Sequence, residues 1–339
     1  MTAWYGTFSG LLRSLPRRRV ATCSGATASL IAAAVAGCSV SSTLNGAGAS
    51  FPAPIYQNWF QGLAAKGLRV NYQSVGSGAG VRQFLAGTVD FAGSDVPLAA
   101  AEQGRAPRGV VQIPMTAGAI AVAYNHPGCK LRLSQAQLAD VFLGRITDFS
   151  QLGCAARPIR VVVRSDGSGT TANFTAHLAA ISPAWSQGPG KGKLIQWPTG
   201  IGAKGNEGVA AQISQGEGSL GYVEASYVKA PLQAAALSNA SGDQLLPDAA
   251  NGMAALEAIR LDAQLIGADP NPSRGYPIVS FSWILLPARD NGPRLATLRQ
   301  VFSATLSDEA QAKAPSLGYL PLPESVRQRG RALLASGVR

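Results

Sequence analysis

Seven consecutive residues, Arg164-Ser165-Asp166-Gly167-Ser168-Gly169-Thr170, hold the densest chemistry in the chain. They combine a permanently charged guanidinium fork, three hydroxyls and two glycines that let a backbone close round a small anion. Two other glycine-rich stretches repeat the theme, Gly46-Ala47-Gly48-Ala49-Ser50-Phe51-Pro52 and Val75-Gly76-Ser77-Gly78-Ala79-Gly80. Brought together, the backbone N–H groups of Phe51, Ser77, Gly169 and Thr170, the hydroxyls of Ser50, Ser77, Ser168 and Thr170, and Arg164 would suit an anion with many acceptor oxygens. Hydrogen bonds to a charged partner contribute about 1.5 to 3 kcal/mol each, so a few surplus ones cover the roughly 8 kcal/mol of a micromolar complex. No catalytic group is required. Asp95, between Ser94 and a Val-Pro pair, would choose among anions if it lines the pocket. A carboxylate only accepts, so it repels a fully deprotonated sulfate and welcomes an oxygen that carries a proton, as phosphate does near neutral pH. Each feature also has a plainer reading, as a capped helix start or a turn residue.

Positioning such loops falls to the elements around them. The branched aliphatics at 159–163 predict a buried strand, and Ala172, Phe174, Ala176, Leu178 and Ala179 predict a helix over 171–181, so the Arg164 loop opens a helix N-terminus. The same order of strand, glycine loop and helix is predicted around Ser77, from a strand at 68–72 to Val81, Phe84 and Leu85. Ile55, Tyr56, Trp59, Phe60 and Leu63 continue the Ser50 stretch as a helix. Val81 stands where a dinucleotide fingerprint needs its third glycine, and Lys191-Gly192-Lys193 lacks the flanking residues of a phosphate-binding P-loop. Two apolar runs, 110–116 and 119–124, interrupted by Gly118, predict strands that carry the chain from one lobe to another, and 276–286 predicts the return crossing. A helix over 133–143 is predicted with Ser134 as cap and Gly144 as stop, and others over 209–215, 293–302 and 324–335, with a strand at 218–223. Residues 185–199 read as an exposed loop and the Ala-rich 230–267 as mostly helical.

At 339 residues and 46% hydrophobic, the chain can bury a core of about two domains. The first 37 residues hold Arg13, Arg17, Arg18 and Arg19 and no acid; a basic region ending at Arg19 and an uncharged Ala-rich stretch from Val20 to Gly37 read as an export signal. It closes on Val35-Ala36-Gly37-Cys38, resembling a bacterial lipobox, in which Cys38 is lipidated and becomes the mature N-terminus. The expected products are a signal peptide at 1–37, a tether at 38–45, and an exported protein held at the outer face of the cytoplasmic membrane. No later run is long and apolar enough to span a bilayer. Of the net charge of +11, the remainder after residue 37 keeps +7, yet no basic run interleaved with aromatics appears there, so a nucleic-acid partner is not expected. Cys129 and Cys154, in an exported chain, are expected to form a disulfide. With only His126 and His177 present and no paired ligand spacing, neither a metal nor a cofactor is expected.

Together GAGASFPAP, VNYQSVGSGAGVRQFLAGTVDFAGSDVPL, LADVFLGRITDF, RSDGSGT and KGNEGVAAQISQGEGSLGYVE resemble the phosphate-binding proteins of bacterial ABC uptake systems, the PstS family, from residue 44 to at least 286. The resemblance implies an α/β protein of the type II periplasmic-binding-protein fold: two α/β lobes joined by crossing hinge strands, with the ligand in the cleft. The lobes would comprise 46–116 with 280–339, and 117–279. By motif, the phosphate ligands would be Ser50, Phe51 through its N–H, Ser77, Asp95, Arg164, Ser168, Gly169 through its N–H, and Thr170, with Asp166 holding the Arg164 fork. Ser50 stands where many members have threonine, and Asp148-Phe149-Ser150 replaces a more usual aromatic-Asn pattern. The implied protein is a monomeric receptor, not an enzyme, that delivers inorganic phosphate to an ABC permease. Its rivals are a receptor for another tetrahedral oxyanion such as sulfate, a phosphatase using Ser168 with a histidine base, and a surface lipoprotein of purely structural role.

Overall fold

Residues 43–339 are described by the structure, a computed structural model. The export signal, Cys38 and residues 38–42 of the expected tether lie outside that range. The far end of the tether is a correction: strand β1, Leu44–Gly48, already begins at the fully buried Leu44. Small residues suit this strand because it is paired on both sides in parallel, with β2 (Val70–Ser74) and β3 (Phe91–Ser94), and covered closely. A Cβ on Gly48 would lie 2.1 Å from the carbonyl oxygen of Gly93. Helix α1, Ala53–Ala64, buries Ile55, Tyr56, Trp59, Phe60 and Leu63 on one face, and α2, Ser77–Leu85, buries Val81 and Phe84. Repeated strand, loop and helix units of this kind put both helix N-termini at the C-terminal end of parallel strands.

After the short α3, Ala100–Gln103, comes β4, Val111–Asn125. The two runs expected here are one continuous strand. Gly118 does not interrupt it; glycine is needed because a Cβ there would come within 2.8 Å of Glu224 Oε1 and 3.0 Å of the Phe51 ring. The chain continues through β5 (Arg132–Leu133), α4 (Gln135–Phe142), β6 (Arg160–Arg164), α5 (Gly169–Ile181), α6 (Pro183–Gln187), β7 (Ile201–Ala203), α7 (Gly205–Ser214) and β8 (Ser219–Glu224). Ser134 caps α4 as expected, accepting from Gln137 N at 3.2 Å, while Gln137 Oε1 accepts from Ser134 N. Gly144 follows with φ +73°, a conformation that stops the helix.

Two expectations need correction in this half. Much of 186–199 is exposed as expected, but Trp185 is fully buried and donates its indole N–H to Gly190 O at 2.7 Å, since a large ring gains from burial once its N–H has a partner. Residues 230–267 are not mostly helical: they form β9 (Gln233–Ala234), β10 (Ala236–Ser238) and β11 (Gln244–Leu245) before the single helix α8, Ala249–Leu256. Alanine favours a helix only where the chain is uninterrupted, and Pro231, Gly242 and Pro247 cut this stretch into pieces.

The return strand β12, Val279–Leu286, precedes α9 (Leu295–Thr305), α10 (Asp308–Gln311) and α11 (Glu324–Gly337). The main sheet runs β2-β1-β3-β12-β4-β8-β6-β7, with β9 against β4. Strand β4 is its pivot: residues 111–119 pair with β12 and residues 120–125 with β8, both antiparallel. One half of the molecule thus gathers on β1, β2, β3 and β12, the other on β6, β7 and β8, as two α/β lobes joined by crossing strands. Each has an aromatic floor: Tyr56, Phe60, Tyr72, Phe91 and Phe302 in the first, Phe142, Phe174, Trp197 and Tyr222 in the second.

Cys129 and Cys154 are bonded, with Cα atoms 5.4 Å apart and a sequence separation of 25. Closing a loop of this length contributes about 3 kcal/mol by restricting the unfolded chain. Replacing both cysteines by alanine is therefore expected to lower the unfolding free energy by about that amount, read as a lower urea midpoint.

Candidate functional site

Strand β6 ends at Arg164, and α5 begins at Gly169, so the intervening loop faces the N-terminal end of a 13-residue helix. Ser168 caps that helix, its Oγ accepting from Thr171 N at 3.0 Å. Tyr222 of β8 fixes the arrangement from beneath. Its hydroxyl accepts from Arg164 N at 3.2 Å and bonds Thr171 Oγ1 at 2.7 Å, while its ring stacks on Phe174 at 4.3 Å. Helix α2 meets α5 end to end. Gly78 N donates to Gly167 O at 2.8 Å, and Gly169 N donates to Ser77 Oγ at 3.1 Å. Only glycine permits this approach, since a Cβ on Gly76 would fall 2.1 Å from Asp166 Oδ2.

Arg164 is a buried cation. Its Nε and Nη2 donate to Asp166 Oδ1 and Oδ2 at 2.7 and 2.6 Å, a two-point contact that leaves Nη1 buried without a hydrogen-bond partner. Burial would push the Asp166 carboxyl up, but the Arg164 fork outweighs it, helped by Gly205 N at 3.0 Å, and the group stays below the ordinary carboxylate range. The expected pairing of these two residues is therefore present.

Asp95 is buried on the opposite lobe, beyond β3. Ser282 Oγ donates to its Oδ1 at 2.8 Å, and Ser77 Oγ lies 3.5 Å from its Oδ2. Asn173 Nδ2 and Ser280 Oγ donate to its main-chain carbonyl at 2.8 and 3.3 Å. Burial pushes the carboxyl up to about 7, opposed by the Ser282 hydroxyl, the charge of Arg164, and the hydroxyls of Ser77 and Thr170. Arg164 and Asp95 feel each other's charge but form no ion pair among the described residues.

Ser50 and Phe51 complete the ring from the start of α1. Asn206, in the first turn of α7, donates through N and Nδ2 to Ser50 Oγ at 3.0 and 2.9 Å and through Nδ2 to Thr170 Oγ1 at 3.2 Å. Its Oδ1 accepts from Glu224 N at 2.9 Å. The main-chain carbonyls of Ser50 and Phe51 accept from the hydroxyls of Tyr227 and Tyr319, both at 2.6 Å. All eight expected positions, Ser50, Phe51, Ser77, Asp95, Arg164, Ser168, Gly169 and Thr170, are buried, and these bonds link Ser50 to Thr170 and Ser77 to both Asp95 and Gly169.

Asn206, Ser282, Asn173 and Tyr222 were not expected here. Asn206 carried a signal in lying within a glycine-rich helix start, and Ser282 in being a hydroxyl inside the apolar run Val279-Ser280-Phe281-Ser282-Trp283-Ile284. Neither histidine joins the site. His177 Nδ1 bonds Pro270 O at 2.7 Å, and burial lowers its pKa to about 4; His126 bonds Ala155 O at 2.9 Å. Among the described residues no group of three or more His, Cys, Asp or Glu is placed to hold a metal ion.

Buried donors gathered where helix starts of two α/β lobes meet are the architecture of a solute-binding receptor, and residues 33–309 match the PBP superfamily domain. Two curated relatives narrow the class. A phosphate-binding protein PstS from Xylella fastidiosa (strain Temecula1 / ATCC 700964) is 38% identical over 314 residues, covering 86% of this chain and 85% of its own. A phosphate-binding protein PstS from Pasteurella multocida (strain Pm70) is 37% identical over 308 residues, covering 86% and 89%. The chain belongs to the PstS family of phosphate-binding proteins. The crystal structure of a phosphate-binding protein from Stenotrophomonas maltophilia shares the fold, with a TM-score of 0.71 over 86% of this chain and 93% of that one at 23% identity.

Asn206→Ala removes the buried amide that ties Ser50 to Thr170. We expect a loss of about 1 to 3 kcal/mol in unfolding free energy, seen as a lower denaturant midpoint at unchanged slope.

Proposed function

We propose that the chain captures inorganic phosphate between its lobes and delivers it to the permease of an ABC uptake system. One observation carries this reading: a buried guanidinium with an uncommitted N–H and a buried carboxyl that can accept a proton feel each other's charge without forming an ion pair. An anion bridging the two must offer bare oxygens to Arg164 and a hydroxyl to Asp95, and phosphate near neutral pH does both. The remaining oxygens take the hydroxyls of Ser50, Ser77, Ser168 and Thr170 and the N–H group of Phe51, and share that of Gly169 with Ser77 Oγ. Lobes comprising 46–116 with 280–339, and 117–279, fit the change of partner along β4 between Ala119 and Ile120. Contacts between those lobes, Ser74 Oγ on Glu207 Oε1 at 3.0 Å and Lys193 with Glu102 at 3.5 Å, suit a clamp that closes on its ligand. The lipobox-like end of the export segment supports an exported protein anchored to the membrane by a lipid on Cys38.

A phosphatase using Ser168 is disfavoured, because that hydroxyl caps its own helix and neither histidine is bonded to it. A sulfate receptor is disfavoured by Asp95, and pH sharpens the contrast. Below about 7 Asp95 carries its own proton and can donate to a bare oxyanion, whereas above it only accepts. Calorimetric titration at about pH 8 is expected to show tight phosphate binding and weak sulfate binding; sulfate binding as tightly as phosphate would overturn the reading. Sulfate affinity should rise as the pH falls through 7. In Asp95→Asn the preference for phosphate should shrink at about pH 8 and lose this pH dependence, checked by the same titrations.

A further inference from the structure

Asp95 owes its orientation to a residue on the crossing strand. Strand β12 lies between β3 and β4, and its register against β4 shifts between Ser282 and Trp283, a bulge that re-aims the side chains on either side of it. Ser282 is fully buried, and its hydroxyl donates to Asp95 Oδ1 at 2.8 Å, with the buried Tyr56 hydroxyl as its other polar neighbour. Asp95 Oδ2 faces the other way, toward Ser77 at the mouth of α2.

We propose that Ser282 is a specificity-positioning residue, which by donating to Asp95 Oδ1 commits Asp95 Oδ2 to be the oxygen that meets the ligand's hydroxyl. A hydroxyl has one proton to give. Spent on Oδ1, it makes that oxygen an acceptor and directs any proton shared between ligand and carboxyl to Oδ2. It also steadies the ionised form, which alone turns away an anion without a proton. The inference rests on the phosphate reading of the same site. The other groups that face Asp95 are Arg164 from β6, whose charge acts in the same direction, and the hydroxyls of Ser77 and Thr170. Tyr56 from α1, Tyr72 from β2 and Tyr227 feel its charge but are held neutral by burial, and Glu224, pushed by burial up to about 8, adds its charge only above that pH.

Phosphate and sulfate titrations from about pH 6 to 9 on the full chain carrying Ser282→Ala, Ser282→Cys or Ser282→Thr test this. In the alanine and cysteine variants the pH at which sulfate binding is lost should move up by about one unit, so that near pH 8 the ratio of phosphate to sulfate affinity falls about tenfold. The threonine variant, which keeps a hydroxyl, should restore the parent profile. A packing role alone would weaken both anions together and leave the midpoint in place, and an unshifted midpoint in both the alanine and cysteine variants would overturn the inference. Failure of the unaltered protein to bind phosphate would instead remove the functional reading itself.

Discussion

A full positive charge taken out of water governs much of this structure. Arg164 is almost entirely buried, and an isolated buried ion is untenable unless paired and hydrogen bonded. Asp166 supplies the counter-charge from two residues away, so the loop between β6 and α5 must curl back tightly enough for a two-point contact. Glycine at the facing position 76 leaves room for that carboxylate, and the curl brings Gly205 N onto it as well. The meeting of α2, α5 and α7 at one point thus follows from the need to satisfy one guanidinium and its partner.

Asp95 presents the opposite problem, and the structure solves it only in part. Four influences oppose the cost of burying its charge, and the carboxyl still titrates near neutrality. For a structural residue this would be a defect. In the proposed role of sharing a proton with phosphate, a balance between charged and neutral forms near working pH keeps the shared hydrogen bond strong. Arg164 is held permanently charged, and Asp95 is held poised. The contrast comes from what each is bonded to, since a carboxylate stands against one and only hydroxyls against the other.

The sequence made legible the parts of the site that are built locally. Arg164, Asp166, Ser168 and Thr170 lie on one strand-loop-helix unit, and Ser50 and Ser77 on two more, so residue type and spacing already expressed the donor-rich end of each helix. Asn206 and Ser282 were hidden because their roles exist only after folding: 156 residues separate Asn206 from Ser50, and 187 separate Ser282 from Asp95. The misread segments have a common cause. At Leu44, Trp185 and the Ala-rich region after residue 230, local composition suggested one state while burial or chain breakers imposed another. Gly118 is the reverse case, a residue that reads as a break but serves close packing inside an unbroken strand.

The bond from Gly78 N to Gly167 O joins the two lobes through main chain alone. A Cβ at position 78 would stand 3.1 Å from the Cα of Gly167, and one at 167 would stand 3.3 Å from the Cα of Gly78. At this point the lobes meet as bare peptide against bare peptide, and a methyl at either place would press the facing backbone back by a few tenths of an ångström. Both glycines adjoin a serine of the candidate site, Ser77 and Ser168, so the seam between the lobes and the hydroxyls beside it lie on the same turns of chain.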